Sequence, residues 1–153
     1  MNYIKMVEEF HTVFKAPILN TPQIPSADRA TLRVSLLQEE INELKEAIAN
    51  NDLVEAFDAF LDIQYVLSGA LLEFGLKNVF DEGFAEVQRS NMSKACNSEQ
   101  EAIDTLDFYK AKDGTEGYYK EDGDKWLVYR NGDNKVLKNK YYSAASLAKF
   151  IEK

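Results

Sequence analysis

The first half of the chain holds five carboxylates whose spacing could bind a divalent cation. Three lie in one helical stretch and two in the next, one turn apart: Glu39, Glu40, Glu43, Asp58 and Asp62. In a helical bundle, carboxylates that project from facing helices form oxygen-rich metal sites. Without His or Cys among the ligands, such a site favours Mg²⁺ or Mn²⁺.

Glu40 lies at the edge of an apolar stripe on the first of these helices. At about 100° per residue, that stripe is formed by Leu37, Ile41, Leu44 and Ile48. Burying an unpaired carboxylate there costs on the order of several kcal/mol. We therefore expect a cation, a hydrogen-bond network or a raised pKa at Glu40. A glutamate-rich stretch of this kind is also typical of a solvated helix face.

The second helical stretch is apolar on nearly every side, which predicts a central helix. Asp58 and Asp62 interrupt it on one face, and residues 46–76 contain no Lys or Arg that could pair with them. Glu55 shares that face, but it could instead complete a helix cap with Asp52. The two aspartates are the harder pair to explain as surface residues.

A third polar element follows at residues 86–94, with the sequence EVQRSNMSK. Arg89 and Lys94 suit phosphate oxygens, and Asn91 could reach a sugar or a base. Cations near the end of a helix are also favoured by the helix dipole alone.

These elements require a mainly helical fold. Helices are predicted at residues 2–14, 28–49, 53–74, from after Asn78 into the low 90s, and at 99–110. Short strands are predicted around 118–119, 126–129 and 136–137, and a last helix at 144–151 with Ser143 as its cap. The fold class is thus a four- to five-helix bundle (1–110) with a small antiparallel β-meander and terminal helix (111–153) packed on it.

Composition narrows the classes of function. The chain has 153 residues and is 45% hydrophobic and 29% charged, which is typical of a globular protein. One His and one Cys exclude a two-His metal site and a disulfide framework. The net charge of −8 argues against nucleic acid polymers, although a small phosphate compound can bind through cations. Neither a membrane span nor a signal peptide is recognisable, so we expect a soluble, cytoplasmic protein.

Taken in order, the three polar elements resemble the MazG-like family of all-α nucleoside triphosphate pyrophosphohydrolases. The family pattern is EExxE on one helix and ExxD on the next, and residues 86–94 resemble the EVHRSNMSK signature of a dUTPase-like or phosphoribosyl-ATP pyrophosphohydrolase-like subgroup. The resemblance spans about residues 8–95. Ala59 stands where the family has Glu, and Asp58, or Glu55 paired with Asp58, could substitute for it. Gln88 replaces the His of the signature.

The resemblance implies a Mg²⁺-dependent enzyme, with Mn²⁺ as an alternative, that cleaves a nucleoside triphosphate such as dUTP to a monophosphate and pyrophosphate. The implied metal ligands are Glu40, Glu43, Asp58 and Asp62. The implied catalytic residues are Glu39, as general base or ligand of a further metal, and Glu40. The implied substrate-binding residues are Arg89, Asn91 and Lys94. A homodimer or homotetramer is also implied. The alternatives are a nucleotide- or metal-binding protein without catalysis and a helical interaction module.

Overall fold

A computed structural model describes residues 2–152 and confirms the mainly α-helical fold class. The chain forms two compact units, of which the first ends at Phe80 and the second begins at Asp81. The first unit contains the helices α1 (Tyr3–Phe14), α2 (Ala27–Ala49) and α3 (Leu53–Glu73). Within residues 2–152, no helix combines the length and apolar character that a membrane crossing requires.

Local signals define the ends of α3. The Asp52 carboxylate accepts hydrogen bonds from the backbone N–H groups of Val54 and Glu55, so the predicted N-cap is confirmed. At the other end Gly75 adopts a φ of +68°, and a Cβ there would clash with the carbonyl oxygen of Thr21. Only glycine fits this turn, which is why α3 ends where the sequence predicts.

The helices α2 and α3 pack on each other as an antiparallel pair joined by a three-residue connection. Small side chains line their contact: Ala47, Ala56 and Ala59 are all buried. The helix α1 packs on α3 as well. This pair of helices places the carboxylates of α2 beside those of α3.

The apolar surface of α3 is only partly covered. Leu53, Val54 and Phe57 are 82%, 75% and 62% exposed, although a helix apolar on all sides was predicted to be central. Two helices cover only part of the circumference of a third, so the remaining apolar side of α3 faces outward in a single chain.

The second unit combines helices with a small sheet. After α4 (Phe80–Met92) and α5 (Glu99–Asp113) come the antiparallel strands β1 (Gly117–Asp122), β2 (Lys125–Arg130) and β3 (Val136–Leu137), in the order β1-β2-β3. The helix α5 packs on β1 and β2. Their shared core is formed by Cys96, Ala102, Val128 and Leu137.

The two ends of the segment that contains α5 and the sheet are joined by hydrogen bonds. The Asn139 N–H donates to the Lys94 carbonyl at 2.9 Å, and Asn139 Nδ2 donates to the Ala95 carbonyl at 3.2 Å. The sequence predicts a domain boundary after residue 110, which lies inside α5. That division into 1–110 and 111–153 remains a prediction.

The terminal helix is shorter than predicted. The helix α6 spans Ala148–Ile151, whereas the sequence predicts 144–151 with Ser143 as its cap. Instead, the Ser143 N–H donates to Ser93 Oγ at 3.1 Å, and the Ser146 N–H donates to a Glu86 carboxylate oxygen at 2.9 Å. Arg89 Nη2 also donates to the Ser143 and Ala144 carbonyls, at 3.5 and 3.1 Å, which are the acceptors that a helix starting at residue 144 would use for its first intrahelical bonds.

Candidate functional site

The five predicted carboxylates of α2 and α3 lie close enough together to influence one another. Glu40 is half-buried, whereas the other four are exposed. Burial raises the pKa of Glu40, and the negative charges of Glu43, Asp62, Glu39 and Asp58 raise it further. The structure therefore brings the predicted residues together around Glu40.

One oxygen of this group is left without a partner. Glu40 Oε2 is buried and has no hydrogen bond within the described residues. Among residues 2–152, no ion pair involves any of the five carboxylates. A buried, unpaired carboxylate oxygen is costly, so the α2–α3 pair holds an uncompensated negative charge at this point.

The carboxylates do not form a closed cage. Within residues 2–152, no three His, Cys, Asp or Glu side chains converge as a ready-made metal site. The other four carboxylates are exposed around Glu40 instead, and this acidic face of the α2–α3 pair is called the carboxylate groove below. Any cation held there needs further ligands from water or from a substrate.

A cavity of about 350 Å³ lies between the end of α2 and the start of α3 and shares Glu43 and Asp58 with the carboxylate group. Its polar lining consists of Glu43, Glu46, Asn50, Asp52, Glu55 and Asp58. The sequence left open whether Glu55 caps a helix or joins the site. The Asp52 N–H donates to the Ala47 carbonyl at 2.9 Å, so the Glu55 carboxylate is not needed as a reciprocal cap. Glu55 is thus an additional acidic group beside Asp58.

A second buried carboxylate lies at the far end of the same helix pair, and the sequence reasoning missed it. Glu73 is fully buried and accepts from Arg29 Nε at 2.9 Å and from Arg33 Nη2 at 2.5 Å. Burial alone would raise the pKa of Glu73, but the hydrogen bonds and charges of the two arginines outweigh it and lower the pKa. The available signal was an acid at the end of an apolar helix, together with two arginines one turn apart.

The predicted phosphate-binding residues lie in the second unit. Arg89 Nε donates to Glu86 Oε2 at 2.8 Å, and Arg89 Nη2 donates to the Ala144 carbonyl at 3.1 Å. The Arg89 hydrogen bond and the Ser146 N–H lower the pKa of Glu86 to about 2. Arg89 is thus already bonded within its own unit.

Lys94 and Asn91 contact each other in the same unit. Lys94 Nζ donates to Asn91 Oδ1 at 2.7 Å. The two side chains lie near the end of α4, where the sequence places them. A cation and an amide thus stand together at this helix end.

Comparisons with known proteins identify the family of the chain. A family model described as phosphoribosyl-ATP pyrophosphohydrolase matches residues 7–91, a range that includes all five carboxylates as well as Arg89 and Asn91. The chain is also 25% identical to an uncharacterized protein of Acanthamoeba polyphaga mimivirus, with 99% of this chain and 96% of the relative covered. The matched range extends over more than half of the chain and carries the acidic groove, so the chain belongs to the phosphoribosyl-ATP pyrophosphohydrolase family, within the MazG-like pyrophosphohydrolases.

Proposed function

We propose that the chain is a Mg²⁺-dependent nucleoside triphosphate pyrophosphohydrolase. It cleaves the bond between the α- and β-phosphates and releases a nucleoside monophosphate and pyrophosphate. The observation that carries this proposal is the buried, unpaired Glu40 Oε2 among four like charges, in a chain of a pyrophosphohydrolase family.

The donor set fits Mg²⁺ in its chemistry. All the groups are carboxylates, the hard oxygen ligands that Mg²⁺ prefers, and Mn²⁺ is the nearest substitute. Mg²⁺ in phosphate chemistry is usually held by one or two carboxylates together with substrate phosphates and water. Exposed carboxylates that do not converge into a closed cage, as among the described residues here, suit that mode. The proposed ligands are Glu40, Glu43, Asp58 and Asp62, and Glu55 is the alternative ligand.

The remaining roles belong to side chains of this chain. When bound, Mg²⁺ neutralises phosphate charge and favours attack by water at phosphorus. Glu39 is exposed beside Glu40 and can accept the proton of the attacking water as general base. Without the cation, the carboxylates of the groove would repel a triphosphate of about four negative charges.

Arg89 and Lys94 are the proposed phosphate-binding residues, and Asn91 the proposed contact to the sugar or base. A phosphate would have to compete with Glu86 for Arg89 and with Asn91 for Lys94. Charge-assisted bonds to phosphate are stronger than those to neutral oxygens, which favours release of the Ala144 carbonyl and the Asn91 amide.

A homodimer or homotetramer is part of the proposal. Phe57 and Phe60 of α3 and Phe14 of α1 are 62%, 57% and 67% exposed. Large apolar side chains in such number are normally covered in an assembly. Light scattering of the purified protein measures the state directly.

Pyrophosphate release from a panel of nucleoside triphosphates tests the proposed reaction. The panel contains dUTP, the other deoxynucleotides and phosphoribosyl-ATP, each with Mg²⁺, Mn²⁺ or EDTA. We expect metal-dependent release with one preferred substrate. Glu40→Gln should abolish it, whereas Glu9→Gln, which changes an exposed acid of α1, should not. No release from any substrate by the wild-type protein would overturn the proposal.

Ala59 favours a second candidate, a protein that binds nucleotide without cleaving it. Ala59 is 3% exposed and stands where the family pattern has Glu. A carboxylate is thus missing at a position buried in the helix pair. Calorimetry that detects Mg²⁺-dependent nucleotide binding, together with no release of pyrophosphate, would favour this candidate.

A further inference from the structure

Arg33 is a buried cation at the end of the α2–α3 pair away from the carboxylate groove. It retains 9% exposure and forms a hydrogen bond with one residue on each neighbouring helix. Arg33 Nη2 donates to Glu73 Oε1 of α3 at 2.5 Å and lies 3.2 Å from His11 Nε2 of α1. The proposed reaction uses none of these three residues.

The hydrogen bonds of His11 define its role in this cluster. His11 Nδ1 lies 2.9 Å from the Pro17 carbonyl oxygen, which can only accept. His11 Nδ1 therefore carries the proton, and the lone pair of Nε2 accepts from Arg33. The guanidinium is held from two sides, by an acceptor on α1 and a carboxylate on α3.

Gly69 lets Arg33 lie directly against the backbone of α3. A Cβ at Gly69 would lie 2.8 Å from Arg33 Nη1 and 3.0 Å from His11 Nε2. Real Cβ atoms essentially never approach a neighbour under 3.0 Å, so any side chain there would displace the guanidinium. The absence of a side chain at this position fixes how closely α2 and α3 approach.

The contact of Arg33 with Gly69 is related to the carboxylate groove by helix geometry. Glu40 follows Arg33 by seven residues on α2, and Asp62 precedes Gly69 by seven on α3. Seven residues are nearly two helical turns and about 10 Å of rise. In an antiparallel pair, the contact of Arg33 with Gly69 and the approach of Glu40 to Asp62 thus lie on the same face. Because helices are stiff, fixing how far α2 lies along α3 at the first contact also fixes it at the second.

We propose that Arg33 is a positioning residue which, with His11 and Glu73, fixes the register of α2 against α3 and so places Glu40 opposite Asp62. Like charges on the two helices repel each other at the groove, and the buried cluster opposes their separation. The inference rests on the proposed function only for the statement that these carboxylates bind a cation.

Two variants disturb the cluster without removing a charge. Gly69→Ala adds the Cβ that Arg33 would meet. Arg33→Lys keeps the positive charge but removes the planar guanidinium, whose Nη2 bonds both acceptors while its Nη1 lies against Gly69. The control is Val7→Ala, which removes packing from a buried side chain of α1 outside this cluster.

The first readout is the separation of the two helices beside the groove, without metal. Spin labels at Asn42→Cys on α2 and Phe60→Cys on α3 occupy exposed positions, and the native Cys96 is fully buried. Electron paramagnetic resonance measures the distance between the two labels. In both cluster variants this distance should shift by about 1.5 Å or more, the rise of one residue, or its distribution should become clearly broader. Val7→Ala should match the wild type.

The second readout is Mn²⁺ binding, measured at a temperature where every variant is folded. We expect about tenfold weaker binding in both cluster variants, the usual scale for residues that orient metal ligands, and wild-type binding in Val7→Ala. An unchanged separation, or a changed separation with wild-type Mn²⁺ affinity, would overturn the inference. If the separation changes but even the wild-type protein binds no Mn²⁺, the positioning of the helices stands and the proposed function fails.

Discussion

Each end of the α2–α3 pair contains a carboxylate that is partly or fully removed from water, but the charges around the two carboxylates differ. At one end, Glu73 is fully buried, and two arginines lower its pKa. At the other end, Glu40 is half-buried, like charges surround it, and its pKa is raised. Both ends desolvate a carboxylate, but only one supplies the positive charge that offsets the cost.

This difference separates a structural ion cluster from a functional one. A buried carboxylate with its own cations needs nothing from outside the chain. A carboxylate with an unpaired buried oxygen and repelling neighbours is stable only at a cost, which an external cation would relieve. The comparison therefore indicates a structural role for the Glu73 end and supports the proposed cation binding at the Glu40 end.

The largest expected effect comes from removing the compensated carboxylate. Glu73→Ala leaves the buried Arg33 facing no anion, so we expect a loss of about 3–5 kcal/mol in the free energy of unfolding. Urea denaturation followed by circular dichroism measures it. Arg29→Met should cost clearly less, because the Arg29 side chain is 34% exposed and Arg33 still pairs with Glu73. Equal losses in the two variants would contradict the contrast.

The uncompensated carboxylate should respond in the opposite direction. Glu40→Gln removes the repelled charge but keeps the shape of the side chain. We expect the metal-free protein to gain about 0.5–2 kcal/mol in stability, the range typical when a functional strain is relieved, while Mg²⁺-dependent hydrolysis is lost. Glu9→Gln, on an exposed part of α1, should change neither quantity. A destabilised Glu40→Gln would show that the carboxylate is compensated after all.

An internal cation should make the two ends alike. Glu43→Arg places a guanidinium one turn from Glu40, as the arginines stand beside Glu73. Mg²⁺ at about a hundred times its dissociation constant should stabilise the wild-type protein by about 2.7 kcal/mol, and this gain should disappear in the variant. Thermal unfolding with and without Mg²⁺ measures both. A full Mg²⁺ response in Glu43→Arg would argue against a cation at Glu40.

The smallest expected effect is in the pH dependence of the metal-free protein. The folded pKa of Glu40 is raised, so its contribution to stability is present below the ordinary value of 4.5 and is lost as the pH rises through the raised value. Thermal unfolding of wild type and Glu40→Gln should therefore converge as the pH falls towards about 4 and separate towards neutrality. A constant difference over this range would contradict the raised pKa.

The contribution of Glu73 to stability should depend on pH in the opposite direction. The folded pKa of Glu73 is lowered, so its contribution is present above 4.5 and is lost as the pH falls through the lowered value. Wild type and Glu73→Ala should differ fully at neutral pH and converge only in acid. The same unfolding series, extended to acid pH, measures this opposite trend.

Local signals made most of the fold predictable. The cap at Asp52 and the positive φ of Gly75, which ends α3, are set by residues next to them in the sequence. The grouping of the carboxylates was predictable because helical spacing, together with the apolar residues around them, indicates which side chains share a helix face. Their roles as ligands and general base remain predictions.

What could not be predicted depends on contacts between distant parts of the chain. Glu73 pairs with Arg33 across 40 residues of sequence, and the helical spacing of the two arginines does not identify their partner. The terminal helix was placed too early because Ser143 resembles a cap, whereas Arg89 bonds the Ser143 and Ala144 carbonyls from more than 50 residues away. Both features depend on hydrogen bonds between residues that are distant in sequence, which a local sequence pattern does not show.

The hydrogen bonds between Asn139 and residues 94–95 also bear on how the chain could have been assembled in evolution. Ala95 and Asn139 are 44 residues apart in sequence but adjacent in space. The segment between them carries its own small core, which includes Cys96 and Val128. Chains accept insertions most readily where the two ends of the added piece already meet. This segment could therefore be lengthened, shortened or exchanged among relatives while the chain before and after it keeps its course.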